Sequence, residues 1–141
     1  MSAKIRLLAS YTEQCQMVDS RRTGEGAGNN PGVFLHHDVV YDESNQTRFD
    51  GVFTLKIVQA NFVLDMVYRT EFEAESAIDD DFKKGPFPNV NAPAIAYPLL
   101  RAAVASACVN LFGRPIVLPV VNFQEAAIKS AAKAEEAKKP E

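Results

Sequence analysis

Apolar and polar residues alternate with a period of two over residues 62–74. Phe62, Leu64, Met66, Tyr68 and Phe72 fall on one side, and Asp65, Arg69, Glu71 and Glu73 on the other. Successive side chains of an extended chain point to opposite faces, so this segment is a strand with one buried and one wet face. Residues 52–59 repeat the pattern, with Phe53, Leu55 and Ile57 set against Thr54 and Lys56. Only Gln59, Ala60 and Asn61 separate the two segments, which predicts a tight hairpin. Residues 5–18, where Ile5, Leu7, Tyr11 and Cys15 interleave with polar positions, and residues 33–41 read as two further strands. Between them lies DSRRTGEGAGNNPG, whose Gly, Asn and charges predict an exposed connection. It is longer than a hairpin needs, so the first strand is expected to cross over and not to pair with its sequence neighbour. DESNQTRFDG supplies turn chemistry after the second strand.

The period changes after residue 74. Residues 75–91 read as a loop with an Asp79-Asp80-Asp81 run, Pro86 and Pro88. A helix then starts near Pro93 or Pro98, since the missing proline N–H costs nothing in a first turn. Leu100, Val104, Ala107, Cys108 and Leu111 form an apolar stripe at helical spacing, and Ala103, Ser106 and Ala107 are small enough to let another helix approach. Gly113 followed by Pro115 ends the helix. An apolar linker pinned by Pro115 and Pro119 leads to Asn122, an N-cap with Glu125 three residues on, and so to a last helix that frays into an Ala/Lys/Glu tail. Four strands followed by two helices predict an α+β fold: a four-stranded antiparallel sheet with two C-terminal helices packed on one face. The expected organisation is a single domain over residues 1–141, with a folded core over about residues 5–128 and a frayed or disordered tail over 129–141.

Composition narrows the function. A chain of 141 residues fits one domain. At that length roughly two thirds of the unfolded surface is buried, so the core is modest. The net charge of −3 leaves no basic footprint for nucleic acid and no polybasic patch for a membrane. Cys15 and Cys108 are far apart and outside any CxxC, which predicts buried, reduced thiols and a reducing compartment. The first residues lack the apolar run of a secretory leader. The longest uncharged stretch, residues 85–100, holds four prolines and is not expected to span a bilayer. A cytoplasmic location follows as the expectation.

The candidate chemistry is thin. His36 and His37 are strand neighbours that must point to opposite faces, so they cannot chelate one metal. The Asp79–Asp81 run lacks the alternating ligands and closing Glu of a calcium loop, and GEGAG is not followed by a helix or a Lys-Ser/Thr. No nucleophile motif accompanies the histidines. These readings predict no enzyme, no metal and no cofactor. What remains is an apolar surplus in loops, helix starts and linker, including Phe87, Val90, Ile95, Ile116, Val117, Leu118 and Val121. Such residues form either a buried satellite cluster or an exposed adhesive patch.

The run Pro93-Ala-Ile-Ala-Tyr-Pro-Leu-Leu-Arg101, continuing to Leu118-Pro-Val-Val-Asn-Phe123, resembles the C-terminal half of the SecB export chaperones, which carry a similar P-x-I-x-aromatic-P-x-x-R helix start and L-x-P-V-N-F lead into the last helix. Tyr11-Thr12 and Phe62-Val-Leu-Asp65-Met66 match in register upstream, so the resemblance spans about residues 5–128. It implies a chaperone that holds unfolded or preprotein clients, built as a homotetramer that is a dimer of dimers. By that resemblance Leu64, Met66, Tyr68, Leu100, Val104, Ala107 and Leu111 lie at subunit contacts. Client-groove positions would be Phe34, Val39, Tyr41, Ile116, Leu118, Val121, Phe123 and Ile128. Asp65 keeps one acidic position that contacts the SecA motor in the family, whereas the acidic first-strand positions are Gln14 and Val18 here. The hairpin after the third strand is also shorter than in typical members, and the tail is mixed Lys/Glu. These departures point to a divergent chaperone serving a dedicated client, such as an antitoxin, alongside general export. The competing class is a non-chaperone oligomeric adaptor on the same fold.

Overall fold

The computed structural model describes residues 4–19, 31–113, 115–119 and 121–123. The chain divides into two compact units, with the boundary between Ile78 and Asp79.

The first unit is a sheet of four strands: β1 (Ile5–Asp19), β2 (Gly32–Tyr41), β3 (Arg48–Val58) and β4 (Phe62–Ala74). All pairings are antiparallel and the spatial order is β1-β4-β3-β2. β1 thus crosses over to pair with the most distant strand, as the long connection requires. β3 begins at Arg48, earlier than the alternation suggests, because the turn chemistry is spent within a few residues. Asp42 accepts from the Ser44 N–H and hydroxyl, and Asn45 does the same for Thr47.

Alternation sets the two faces. One side of β3 and β4 buries Phe49, Phe53, Leu55, Ile57, Leu64, Met66, Tyr68 and Phe72. Across this side run Tyr41, Phe49 and Phe72 in adjacent register, with ring centroids 6.1 Å and 5.1 Å apart. Such aromatic pairs add about 0.5–1.5 kcal/mol each beyond area burial. The open side carries charge. Arg69 donates to Asp50 at 2.6 Å and to Glu13 at 3.2 Å, tying β4 to both of its neighbours. Glu13 reaches Arg69 because β1 is bulged there. Register shifts between Leu7 and Ala9 and between Thr12 and Gln14 each insert one residue. The same bulges correct the simple alternation expected for β1. Tyr11 pairs with Arg69 on the open side, while Leu7 and Cys15 pair with Phe72 and Met66 on the other.

The second unit is helical. The expected loop over residues 75–91 contains a short helix, α1 (Asp80–Lys84), capped by Asp79, whose carboxylate accepts from the Phe82 N–H at 2.8 Å. The acidic run is therefore a cap and first turn, where negative charge meets the positive helix end. A single wide turn of π type, Phe87–Asn91, leads directly into α2 (Ala92–Phe112). Asn89 secures that turn by donating its amide to the Lys83 and Gly85 carbonyls. The helical run thus starts ahead of Pro93 and continues through Pro98. Gly113 ends it at φ 77°, a left-handed conformation that glycine adopts without a Cβ penalty, with its N–H on the Val109 carbonyl. The last helix expected after Asn122 lies, beyond Phe123, outside the described residues, as does Ile128. Four strands and a C-terminal helical region make the fold α+β.

Candidate functional site

Strand β2 supplies three of the expected groove residues, and the pleat separates them. Phe34 pairs with Lys56 on the open side and is 56% exposed. Val39 and Tyr41 pair with Gly51 and Phe49 on the other side and are half-buried. An odd spacing along a strand cannot put Phe34 and Val39 in one groove, which corrects that grouping. Tyr41 lines a cleft of about 330 Å³ with Arg48, Asp50 and Glu71, a charged setting, and burial pushes its phenol up. Val33 and Val40, which the sequence reading passed over, stand exposed on this edge strand, one on each side. Their signal was the absence of any charged residue over residues 32–35 and 39–41.

The linker residues sort differently. Leu118 is fully buried, so it belongs to the core and not to a client groove. Val117 beside it is 73% exposed. Ile116 is half-buried, as are Val121 and Phe123. Those last two come to α2. The Tyr97 hydroxyl donates to the Pro119 carbonyl at 2.5 Å, and the Tyr97 ring meets Phe123 edge-on at 5.4 Å. Between linker and helix lies an open groove of about 490 Å³ lined by Val90, Tyr97, Pro98, Arg101, Val121 and Phe123 among others. Burial raises the Tyr97 pKa while the Arg101 charge opposes the rise.

The positions expected at subunit contacts also divide. Leu64, Met66, Tyr68, Leu100 and Val104 are buried within the single chain and have no surface to share with another subunit. Strict alternation in β4 and the i, i+4 series Ala92, Ala96, Leu100, Val104, Cys108 in α2 account for this burial. Ala107 is half-buried and Leu111 exposed. The opposite face of α2 presents Ile95, Pro98, Ala102, Ser106 and Val109, all exposed and none charged. Arg101 is the one charged residue in the helix. By length and composition Phe87–Leu111 is long and apolar enough to cross a membrane. Its second apolar face went unread in the sequence because Leu100, Val104 and Cys108 already satisfied the search for one stripe.

Asp65 is exposed on the open side of β4, between Lys56 and Gln16 in register. His36 and His37 do point to opposite faces. His36 is exposed and its Nε2 lies 3.0 Å from an Asp38 carboxylate oxygen. His37 lies over Gly51, where a Cβ would come within 2.8 Å of its Nε2, and meets Phe53 at 4.7 Å. Burial lowers its pKa to about 4, against the opposing pull of Asp38. Cys108 is buried as expected, but Cys15 is exposed, because bulged β1 is an edge strand with little over it. Among the described residues no group of three or more His, Cys, Asp or Glu could hold a metal ion.

No protein-family model matches the sequence, and no curated protein matches it either. Solved structures do match. A SecB-like chaperone of Mycobacterium tuberculosis, solved in complex with a ChAD peptide from an antitoxin, superposes with a TM-score of 0.64 at 14% identity, over 83% of this chain and 90% of that one. A protein of unknown function from Streptococcus agalactiae superposes with a TM-score of 0.64 at 13% identity, over 85% of this chain and 100% of that one. At such identities the likeness is one of fold, and the fold is that of a SecB-like chaperone.

Proposed function

We propose that this chain is a molecular chaperone of the holdase kind, cytoplasmic and without enzymatic chemistry, that keeps unfolded polypeptide soluble by covering its apolar segments. The observation that carries this reading is the apolar surface left open: Val33, Phe34 and Val40 on an edge strand, and the groove between α2 and the linker. Monomeric soluble proteins rarely leave such surface together unless something binds it. The SecB-like fold supports the same reading.

The physics needs no reaction. Burying client side chains gains roughly 25 cal/mol per Å², offset by the entropy of ordering a flexible chain. Each contact is therefore weak, and several on one assembly raise affinity through multivalency. Binding the unfolded form draws the folding equilibrium toward it. Within this proposal the client contacts are Phe34, Ile116, Val121 and Phe123, with Val39 and Tyr41 on the other side of β2. The subunit contacts of a homotetramer, a dimer of dimers, move to the outward face of α2. That helix has Arg101 at its middle and one face buried in its own chain, so its uncharged outward face suits another copy better than lipid.

A second reading narrows the client. The M. tuberculosis neighbour holds an antitoxin peptide, which favours a chaperone dedicated to one such partner. General export would instead use Asp65 as a contact for SecA. The deciding experiment is an aggregation assay with chemically unfolded clients and no nucleotide. Suppression at stoichiometric amounts is expected, and aggregation unchanged at tenfold excess would overturn the proposal. Suppression of many unrelated clients would favour export, and of one favoured client the dedicated role.

A further inference from the structure

The groove beside α2 holds an unusual charge. Arg101 is half-buried in a lining that is otherwise apolar or aromatic, and no ion pair joins it to any described residue. Elsewhere guanidinium groups are matched: Arg69 has Asp50 and Glu13, and Arg6 has Glu73. A guanidinium at the wall of an apolar groove loses hydration without gaining a counter-charge, and its planar fork is shaped for a carboxylate. The groove is also set in place before any ligand arrives. The Tyr97 hydroxyl holds the Pro119 carbonyl, and Phe123 packs edge-on to the Tyr97 ring, so little ordering cost remains on the protein side.

We infer that Arg101 is a specificity determinant, and that this groove takes segments of unfolded polypeptide in which an Asp or Glu lies next to aromatic or aliphatic residues. The inference rests on the holdase reading and deepens it by naming the client chemistry. Apolar side chains fill the space between Val90, Pro98, Val121 and Phe123, while the client carboxylate pairs with the guanidinium. The pair forms in a partly dehydrated setting, where it discriminates between clients more strongly than a surface ion pair would. A client with Lys at the same place sets two cations together and is rejected.

The test uses the full chain and fluorescence anisotropy with three amidated nonapeptides, identical except that two positions beside a Phe-Leu pair are Asp, Asn or Lys. Amidation removes the terminal carboxylate, so the side chains alone supply the charge. The wild-type protein is expected to bind the Asp peptide about tenfold more tightly than the Asn peptide, and the Lys peptide more weakly still. In Arg101→Gln the Asp and Asn peptides should fall within twofold of each other, with Asn-peptide affinity unchanged. Arg101→Lys should restore part of the preference. Circular dichroism and an unfolded-client aggregation assay on each variant separate the outcomes. Holdase activity with no charge preference, or a preference that survives Arg101→Gln, overturns this inference and leaves the holdase reading standing. Loss of all peptide binding together with loss of holdase activity in the wild-type protein overturns both.

Discussion

The sheet and the long helix divide apolar from polar residues in different ways. In β4, Leu64, Met66 and Tyr68 are buried while Asp65 is exposed and Arg69 is paired across the open side. The outward side of the sheet is thus largely finished for water, with ions matched between strands. In α2 the buried series Ala92, Ala96, Leu100, Val104, Cys108 is backed by a second face of Ile95, Pro98, Ala102, Ser106 and Val109 with no charge at all. A helix apolar all round is stable in water only when its second face is also covered. The difference assigns roles: the sheet is a scaffold complete in one chain, and α2 is where the molecule looks outward for a partner.

The largest expected effect breaks that comparison directly. Glu at Ala102 places an uncompensated charge on the outward face of α2, and in a subunit contact this costs about 3–5 kcal/mol. Glu at Thr54, on the open side of β3, should change stability by no more than about 0.5 kcal/mol and leave the assembly intact. Sedimentation of both variants checks the pair. A change of mass for Ala102→Glu with none for Thr54→Glu is the expected result. Identical masses for wild type and both variants would make the outward face ordinary surface.

How far the fold was legible follows from the same contrast. The strand over Phe62–Ala74 and the hairpin to β3 could be read because a half-buried strand writes its faces in a period of two. The crossover of β1 followed from the length of one connection. The faces of β1 were not legible, since two bulges shift the period and nothing in Leu7-Leu8 or Glu13 marks them. The faces of α2 were not legible either. Where nearly every residue is apolar, spacing cannot say which side is covered, so Leu100 and Val104 were assigned outward when they lie inside. Client positions suffered most. Leu118 and Val117 are adjacent, similar in character and opposite in exposure, a distinction set by tertiary placement alone.

A middle-sized effect sharpens the picture of the buried side of the sheet. His37 sits there among Gly51 and Phe53 with its Nε2 unpartnered, and burial lowers its pKa from 6.5 to about 4. The folded form therefore resists a proton that the unfolded chain accepts. Stability is whole above about pH 6.5 and falls as pH drops toward 4, by about 2–3 kcal/mol from this group. Asp38 works against the loss and His36 adds to it. Replacement by Leu should flatten the difference between denaturation midpoints at pH 7 and pH 4.5, read as urea unfolding of variant and wild type side by side. Equal slopes against pH in the two proteins would show that His37 is solvated in the folded state.

The smallest effect tests whether the buried side is as complete as the comparison assumes. Thr70 lies in the middle of β4, fully buried, between Gly51 and Ser10 in register, and its hydroxyl has no hydrogen-bond partner. The nearby hydroxyls are engaged differently, since Tyr68 donates to Ser10 across the same strand pair at 2.9 Å. An unmade hydrogen bond leaves Thr70 with a desolvation cost and nothing in return. Valine keeps the branched shape that a strand favours and removes the orphan oxygen. Thr70→Val should therefore stabilise the protein by about 1 kcal/mol, raising the melting temperature by about 3 °C. Thr54→Val on the open side removes only a solvated hydroxyl and should leave the melting temperature within about 1 °C. If Thr70→Val lowers stability instead, the hydroxyl has a partner in solution, with an ordered water between Thr70 and the unpartnered His37 Nε2 the arrangement to test next, and the buried side of the sheet carries a polar seam that its apolar alternation conceals.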